Sequence, residues 1–319
     1  MEKVKVVLHG VGEMGKRIGL LLLKKEGVEI VGAVGRRRGV GQDLGEVLGF
    51  DKNLGIRVSD DLDAVLSKAE TDVVVNSTAS FLKEVYPQIA TAVKHGVNVV
   101  STCEELTYPY IVDAQLCKEL DELAKKHGVT VLGTGINPGY LMDTLAITLT
   151  GVCQEVKSIQ VTRQMNAATR RVPFQKKIGA GLTVEEFREQ IDKKAITGHV
   201  GLEQSIAMIA SALGWELEKI EVDPVEPVIA KTPVESEAIK VKRGQAAGLR
   251  QRARGIMDGR AVITLDFRAY MGAEEEYDSV TIEGVPNVNQ KISPCIHGDI
   301  GTAAVTDNSI PKIINAAPG

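Results

Sequence analysis

Three stretches of the 319-residue chain combine residue types that could do chemistry. Gly10-Val11-Gly12-Glu13-Met14-Gly15 reads GxGxxG. Between a strand and a helix, the first glycine allows a tight turn and the second lets the backbone approach a pyrophosphate. The third lets the helix pack on the strand. The orphan N–H groups of that helix then point at the phosphates. Glu104-Glu105 sets two carboxylates side by side at the end of an apolar segment. Partly desolvated in a crevice, one of them would have a raised pKa and act as general acid and base. Neighbouring side chains diverge, so only one would face a substrate; the plain alternative is one cap and one solvated charge. Gly133-Thr134-Gly135-Ile136-Asn137-Pro138-Gly139 has more glycine than a turn needs. Close backbone approach to a bound ring, with Asn137 offering an amide to the substrate, accounts for it; a helix-leading loop is the alternative.

The flanking elements give these stretches their places. Val4 to Leu8 is an apolar run of strand length, Met14, Ile18, Leu21 and Leu22 follow at helical spacing, and Val28 to Val34 is a second strand. The glycine motif thus opens a βαβ unit, the setting in which it binds a dinucleotide. A carboxylate at the end of the second strand would select NAD by holding the ribose 2′-hydroxyl; Gly35-Arg36-Arg37-Arg38 stands there instead. Guanidiniums bind a 2′-phosphate bidentately, so NADP(H) is expected, with NAD(H) tolerated. Strand DVVVN ends in Ser77-Thr78-Ala79, and the strand Val97 to Val100 leads to Thr102 and Cys103. Strand ends of this kind line the ligand crevice of an open α/β sheet. Gly10, Gly12, Glu13, Met14, Gly15, Arg36, Arg37, Ser77, Thr78, Ala79, Thr102, Cys103 and Asn137 are therefore the cofactor-binding candidates. Cys103 reads as small packing rather than a nucleophile, since no histidine stands near it.

Alternating strands and helices to about residue 135 predict a Rossmann-type, doubly wound parallel sheet. A long helix is predicted from Tyr110 to His127. After Met142 the pattern changes. Leu141 to Leu149 starts a helix, Lys157 to Arg163 alternates as a half-exposed strand, and Thr183 with Glu186 forms a capping box. His199 opens a second helix to Leu213, and Asp258-Gly259 marks a hairpin. His297 to Asn315 reads as a helix interrupted near Pro311. The fold class is α/β: a Rossmann domain over 1–142, a second α+β domain with an open mixed sheet over 143–296, and a C-terminal helix, 297–319, returning to the first domain. Substrate would lie above the nicotinamide, between the first domain's strand ends and one face of the second. In the second domain Arg163 could grip a substrate carboxylate bidentately. Asn166 and His199 are further candidates, whereas Arg170, Arg171, Lys176 and Lys177 read as solvated.

Composition narrows the function classes. Hydrophobic content of 44% and charged content of 25% suit globular domains with real cores. A net charge of −4 gives no support for nucleic acid or an anionic membrane, and no apolar run approaches membrane-span length. The start runs straight into a strand, without a signal peptide. Four scattered cysteines and five scattered histidines make neither a disulfide framework nor a metal spacing, which points to a reducing cytoplasm.

Taken together, HGVGEMG, STCEEL, GTGINPGYLMD and HGDIGTAAVTDNSIP resemble the 2,4-diaminopentanoate dehydrogenases and the related native amine dehydrogenases, a branch of the dihydrodipicolinate reductase-like group. The resemblance spans nearly the whole chain. It implies a homodimer and NAD(P)-dependent reversible oxidation of an amine to a ketone, with release of ammonia. It makes the first glutamate, Glu104, the catalytic one, and puts Asn137, Arg163, Asn166 and His199 around the substrate. Gly35-Arg36 departs from the aspartate that many relatives keep, which favours NADP(H). The histidine-rich segment and the lysine preceding a glycine-serine motif of dihydrodipicolinate reductases proper are not found here. An imine or carbonyl reductase that needs no ammonia stays open as an alternative, as does a non-catalytic NADPH-binding regulator, which would leave Glu104 without a task.

Overall fold

The computed structural model describes residues 3–319; Met1 and Glu2, with which the expected first domain begins, lie outside them. The chain forms two compact units, one running to Tyr140 and resuming at His297–Gly319, the other Leu141–Ile296.

In the first unit β1 (Val4–His9), α1 (Glu13–Leu22), β2 (Val28–Val34), α2 (Leu44–Leu48), α3 (Leu62–Leu66), β3 (Val73–Asn76), α4 (Leu82–Lys94), β4 (Asn98–Ser101), α5 (Ala114–His127) and β5 (Val131–Gly133) follow in order. The strands form a parallel sheet in the order β2-β1-β3-β4-β5. Their alternation explains the layering. Val7, Val74 and Val99 face one core with Leu82, Val85, Ile89 and Leu120. Val6, Leu8, Val73, Val75 and Val100 face the other with Ile18, Leu22 and Leu48. Each such fully buried aliphatic side chain contributes about 1.5–3 kcal/mol over exposure. The chain leaves β1 for β2 on one side and reaches β3 on the other, so the order reverses between β1 and β3. That is where a crevice opens beyond the strand ends.

Asp43 and Asp61 cap α2 and α3 through side-chain oxygens. The long helix begins at Ala114 rather than at Tyr110, because Asp113 accepts the Leu116 N–H and fixes the start there.

The second unit contains α6 (Thr144–Thr150), β6 (Glu155–Asn166), α7 (Val172–Lys177), α8 (Val184–Asp192), α9 (Leu202–Leu213), β7 (Lys219–Val222), β8 (Glu226–Ile229), β9 (Val234–Glu235), β10 (Lys240–Val241), β11 (Ala246–Met257), β12 (Arg260–Tyr270), β13 (Tyr277–Val285) and β14 (Val288–Ile292). Its main sheet is mixed: β6 and β12 run parallel while their other neighbours run antiparallel. β11 and β12 turn at Asp258 and Gly259, with φ of 51° and 68°, the left-handed pair a two-residue hairpin requires. The capping box of Thr183 and Glu186 forms at the start of α8. Helix α9 begins at Leu202, after Gly201, so His199 precedes it rather than opening it.

The last helix, α10 (Gly298–Ile313), lies against α1 and β4, with Ala303, Ile310 and Ile313 in the first unit's core. It runs through Pro311 without the expected interruption. Proline at 311 leaves the Asp307 carbonyl without its helical donor, and Lys25 Nζ takes that carbonyl at 3.1 Å.

Candidate active site

A cavity of about 910 Å³ opens at the β1/β3 reversal and is lined by His9, Gly10, Gly12, Arg36, Arg37, Arg38, Asp60 and Ser77 to Ala79, among others. A β-carbon on Gly15 would lie 1.7 Å from the Gly10 carbonyl oxygen, and one on Gly10, whose φ is +111°, would meet Ser77 at 2.8 Å. A β-carbon on Gly12 would meet nothing within 4 Å. Two glycines therefore bring turn, helix and strand end together, and the third leaves backbone bare to the cavity. No side chain caps α1, so its first N–H groups are available to an anion. These features fit a pyrophosphate.

A second cavity, about 260 Å³, shares Ser77, Thr78 and Ala79 with the first and continues to Met14, Ser80, Thr102, Glu104, Gly135, Ile136, Asn137, Pro138 and Thr302. Its lining residues all come from the first unit. Asn137 Oδ1 and Nδ2 are both buried with no hydrogen-bond partner in the protein, an arrangement that suits a polar ligand group. Thr302 Oγ1 accepts the Ile136 N–H at 3.3 Å, so α10 holds the loop that carries Asn137.

The paired glutamates have separated roles. Glu105 Oε2 accepts the Leu82 N–H at 2.7 Å and caps α4. Glu104, half-buried, lines the second cavity.

Several sequence expectations need correction. Cys103 is fully buried in the core behind the crevice rather than set against a cofactor, and burial pushes its thiol up to about 12. The Glu13 side chain turns outward to Arg38, 3.1 Å away, and is absent from the cavity lining. Gly15 lies beneath the turn, where it packs the helix on the strand as the motif requires, and does not itself line the cavity. Arg163 is 2% exposed; its guanidinium pairs with Asp278 at 2.8 Å and donates to the Ile296 carbonyl at 2.6 Å, so it is not open to a substrate carboxylate. Asn166 Oδ1 accepts the Ala168 and Gly272 N–H groups, and its Nδ2 donates to the Ala273 carbonyl. The His199 ring stacks on Phe267, centroids 4.6 Å apart, and its backbone N–H donates to Gln251.

The sequence reading missed Asp60, His9 and Gln88 in the first cavity and Thr302 in the second. Asp60 follows the bridge that ties Ser59 to Val34, a pairing that no local pattern announces. Among the described residues no three or more His, Cys, Asp and Glu side chains are placed to hold a metal ion, and no helix is long and apolar enough to cross a membrane.

The strand reversal, the glycine-lined cavity beyond it and the bare N-terminus of α1 define a dinucleotide-binding α/β protein. Residues 4–133 match the family model for the dihydrodipicolinate reductase N-terminus, and residues 140–319 match that for the 2,4-diaminopentanoate dehydrogenase C-terminal domain. The chain belongs to the 2,4-diaminopentanoate dehydrogenase family. It is 40% identical to the 2,4-diaminopentanoate dehydrogenase of Acetoanaerobium sticklandii, over all of this chain and 92% of that one. An amine dehydrogenase of Streptomyces virginiae is 23% identical, covering 87% of this chain and 81% of its own. The solved amine dehydrogenase of Mycobacterium smegmatis superposes with a TM-score of 0.83 at 30% identity, covering 99% of this chain and 94% of that one.

Proposed function

We propose that the protein catalyses the reversible oxidative deamination of a small amine, 2,4-diaminopentanoate or a close analogue, to a ketone and ammonia, with NADP(H) preferred and NAD(H) tolerated. The observation that carries this reading is Glu104 in the cavity that also buries the unpartnered Asn137 amide. Membership of the family supports the same chemistry.

Gly10, Gly12 and the start of α1 would hold the pyrophosphate, Arg36 and Arg37 a 2′-phosphate, and Ser77 to Ala79 the groove floor between the two cavities. The bound nicotinamide supplies a hydride acceptor in deamination and a hydride donor in amination. Glu104, as carboxylate, takes a proton from the substrate ammonium so that the amine enters as free base, and passes that proton to solvent, which returns it to the carboxylate form. The substrate iminium that follows is cationic, and a nearby carboxylate stabilises it. Glu104 then accepts a proton from the attacking water and returns one to the departing nitrogen as the carbinolamine collapses. The Asn137 amide can orient the carbonyl or amine through either of its buried atoms. Assembly as a homodimer and residence in the cytoplasm belong to the same proposal; all four cysteines are free thiols, in keeping with a reducing compartment.

The test is turnover on a panel: 2,4-diaminopentanoate with NADP+ or NAD+, and 4-oxopentanoate and cyclohexanone with NADPH, each with and without ammonia. Oxidation of the diamino acid, or ammonia-dependent reduction of a ketone, supports the reading. Ketone reduction that ignores ammonia would replace it with a carbonyl reductase.

A further inference from the structure

A polar network runs inward from the wall of the first cavity at Thr78 and Gln88 to two buried residues, Asn76 and Ser101, that have no part in the chemistry above. Cys103 donates its backbone N–H to Ser101 Oγ at 3.2 Å, and Ser101 Oγ donates to Asn76 Oδ1 at 2.9 Å. Asn76 Nδ2 donates to Gln88 Oε1 at 2.8 Å and to Thr78 Oγ1 at 3.3 Å, and Thr78 Oγ1 donates to Gln88 Oε1 at 2.6 Å. Asn76 is 1% exposed and Ser101 0%. Gln88 donates its Nε2 to the Glu84 carbonyl at 3.3 Å, so its Oε1 faces Asn76, whose amide nitrogen points to Gln88 and whose oxygen faces Ser101. The single Ser101 proton then goes to Asn76, and its lone pair is left for Cys103. Satisfied networks of this kind rigidify what they join.

What it joins is the groove floor at Thr78 and the turn that carries Glu104. That turn is also held on its far side, where the Glu105 N–H donates to the Ser80 carbonyl at 3.2 Å and its carboxylate caps α4. The residues on either side of Glu104 are thus each fastened, Cys103 to the end of β4 and Glu105 to the segment that enters α4, while Glu104 itself lines the cavity.

We propose that Ser101 and Asn76 are positioning residues for the reaction, setting Glu104 against the groove floor through the Cys103 amide. The proposal rests on the acid/base reading of Glu104. A misplacement of about 1 Å in a catalytic group can cost a hundredfold in rate, so slackening one tether should show in kcat.

The experiment is a double-mutant cycle with the amine that the parent enzyme turns over. Ser101→Ala should lower kcat about tenfold, leave the NADPH dissociation constant within about threefold, and displace the pH profile of kcat by about half a unit. Ser101→Thr, which retains the hydroxyl, should restore both rate and profile. On a Glu104→Ala background, Ser101→Ala should change the residual rate no further. An equal tenfold loss on both backgrounds would overturn the proposal, since Ser101 would then act elsewhere. A Glu104→Ala enzyme of parental rate would overturn the acid/base reading itself, and that single variant tells the two failures apart. If Ser101→Ala does not accumulate folded, Ser101→Cys makes the same comparison, since its thiol is a much weaker hydrogen-bonding group than the hydroxyl.

Discussion

Gly15 and Gly10 are in backbone contact: a β-carbon on Gly15 would come within 1.7 Å of the Gly10 carbonyl oxygen. Gly15→Ala therefore has to push α1 off the turn, and overpacking of this kind costs about 1–3 kcal/mol or more. The variant should melt lower and bind NADPH poorly. Gly12→Ala should behave differently, because a methyl there meets nothing within 4 Å in the protein. Its melting temperature should stay at the parental value while NADPH affinity falls by about tenfold or more, as the methyl fills the place of the phosphates. Titration and melting of both variants separate the two glycines. Unchanged NADPH binding by Gly12→Ala would mean that this cavity is not the phosphate site.

Arg36 and Arg37 line the same cavity at the end of β2. A charge-assisted hydrogen bond contributes about 1.5–3 kcal/mol. Arg36→Ala should thus weaken NADPH by about ten- to a hundredfold and NADH hardly at all. Equal losses for both cofactors would remove the assignment of the 2′-phosphate to this end of the groove.

Glu104→Ala should lower turnover by about 10²–10⁴-fold, to a small residual rate, and leave the NADPH dissociation constant unchanged. Glu105→Ala removes the acceptor for the Leu82 N–H, and a lost helix cap costs about 0.5–2 kcal/mol. It should lower the melting temperature and reduce turnover without abolishing it. Glu105→Gln, which retains an acceptor oxygen, should recover most of both. Steady-state rates beside melting curves check the pair.

The parts legible in the sequence are those whose physics is local. The glycines of the first turn, the capping box of Thr183 and Glu186, and the Asp258-Gly259 hairpin each close within a few residues. What escaped is set by partners far along the chain. Arg163 looked like an open cation at a strand end, but β13 places Asp278 directly opposite it. Pro311 looked like a helix break, but Lys25 supplies the donor that the helix lost. Thr302, on a helix near the end of the chain, reaches the Asn137 loop only through the packing of α10 in the first unit's core.

Arg163→Met tests that revision. Breaking a buried ion pair from one side strands the other charge and costs about 3–5 kcal/mol. Burial already pushes the Asp278 carboxyl above its usual range, with the Arg163 guanidinium pulling against it. The variant should therefore unfold at markedly lower denaturant, and the double change Arg163→Met with Asp278→Leu should recover part of the loss. A normally stable Arg163→Met enzyme with only a raised KM for the amine would instead restore the carboxylate-binding role.

His9 gives the protein a pH dependence of its own. It ends β1 in the wall of the first cavity, and burial lowers its imidazole from 6.5 to about 4. The unfolded chain takes up a proton as pH falls through 6.5, while the folded chain declines it until about 4. Stability is therefore full above pH 6.5 and is lost progressively down to about 4, by up to about 3 kcal/mol in all. His9→Gln keeps a polar side chain of similar size without the titration. Urea unfolding at a series of pH values between 4 and 7 should show a slope in the parent that the variant lacks. Parallel curves for the two proteins would mean that the imidazole titrates in the folded state much as it does in the unfolded chain.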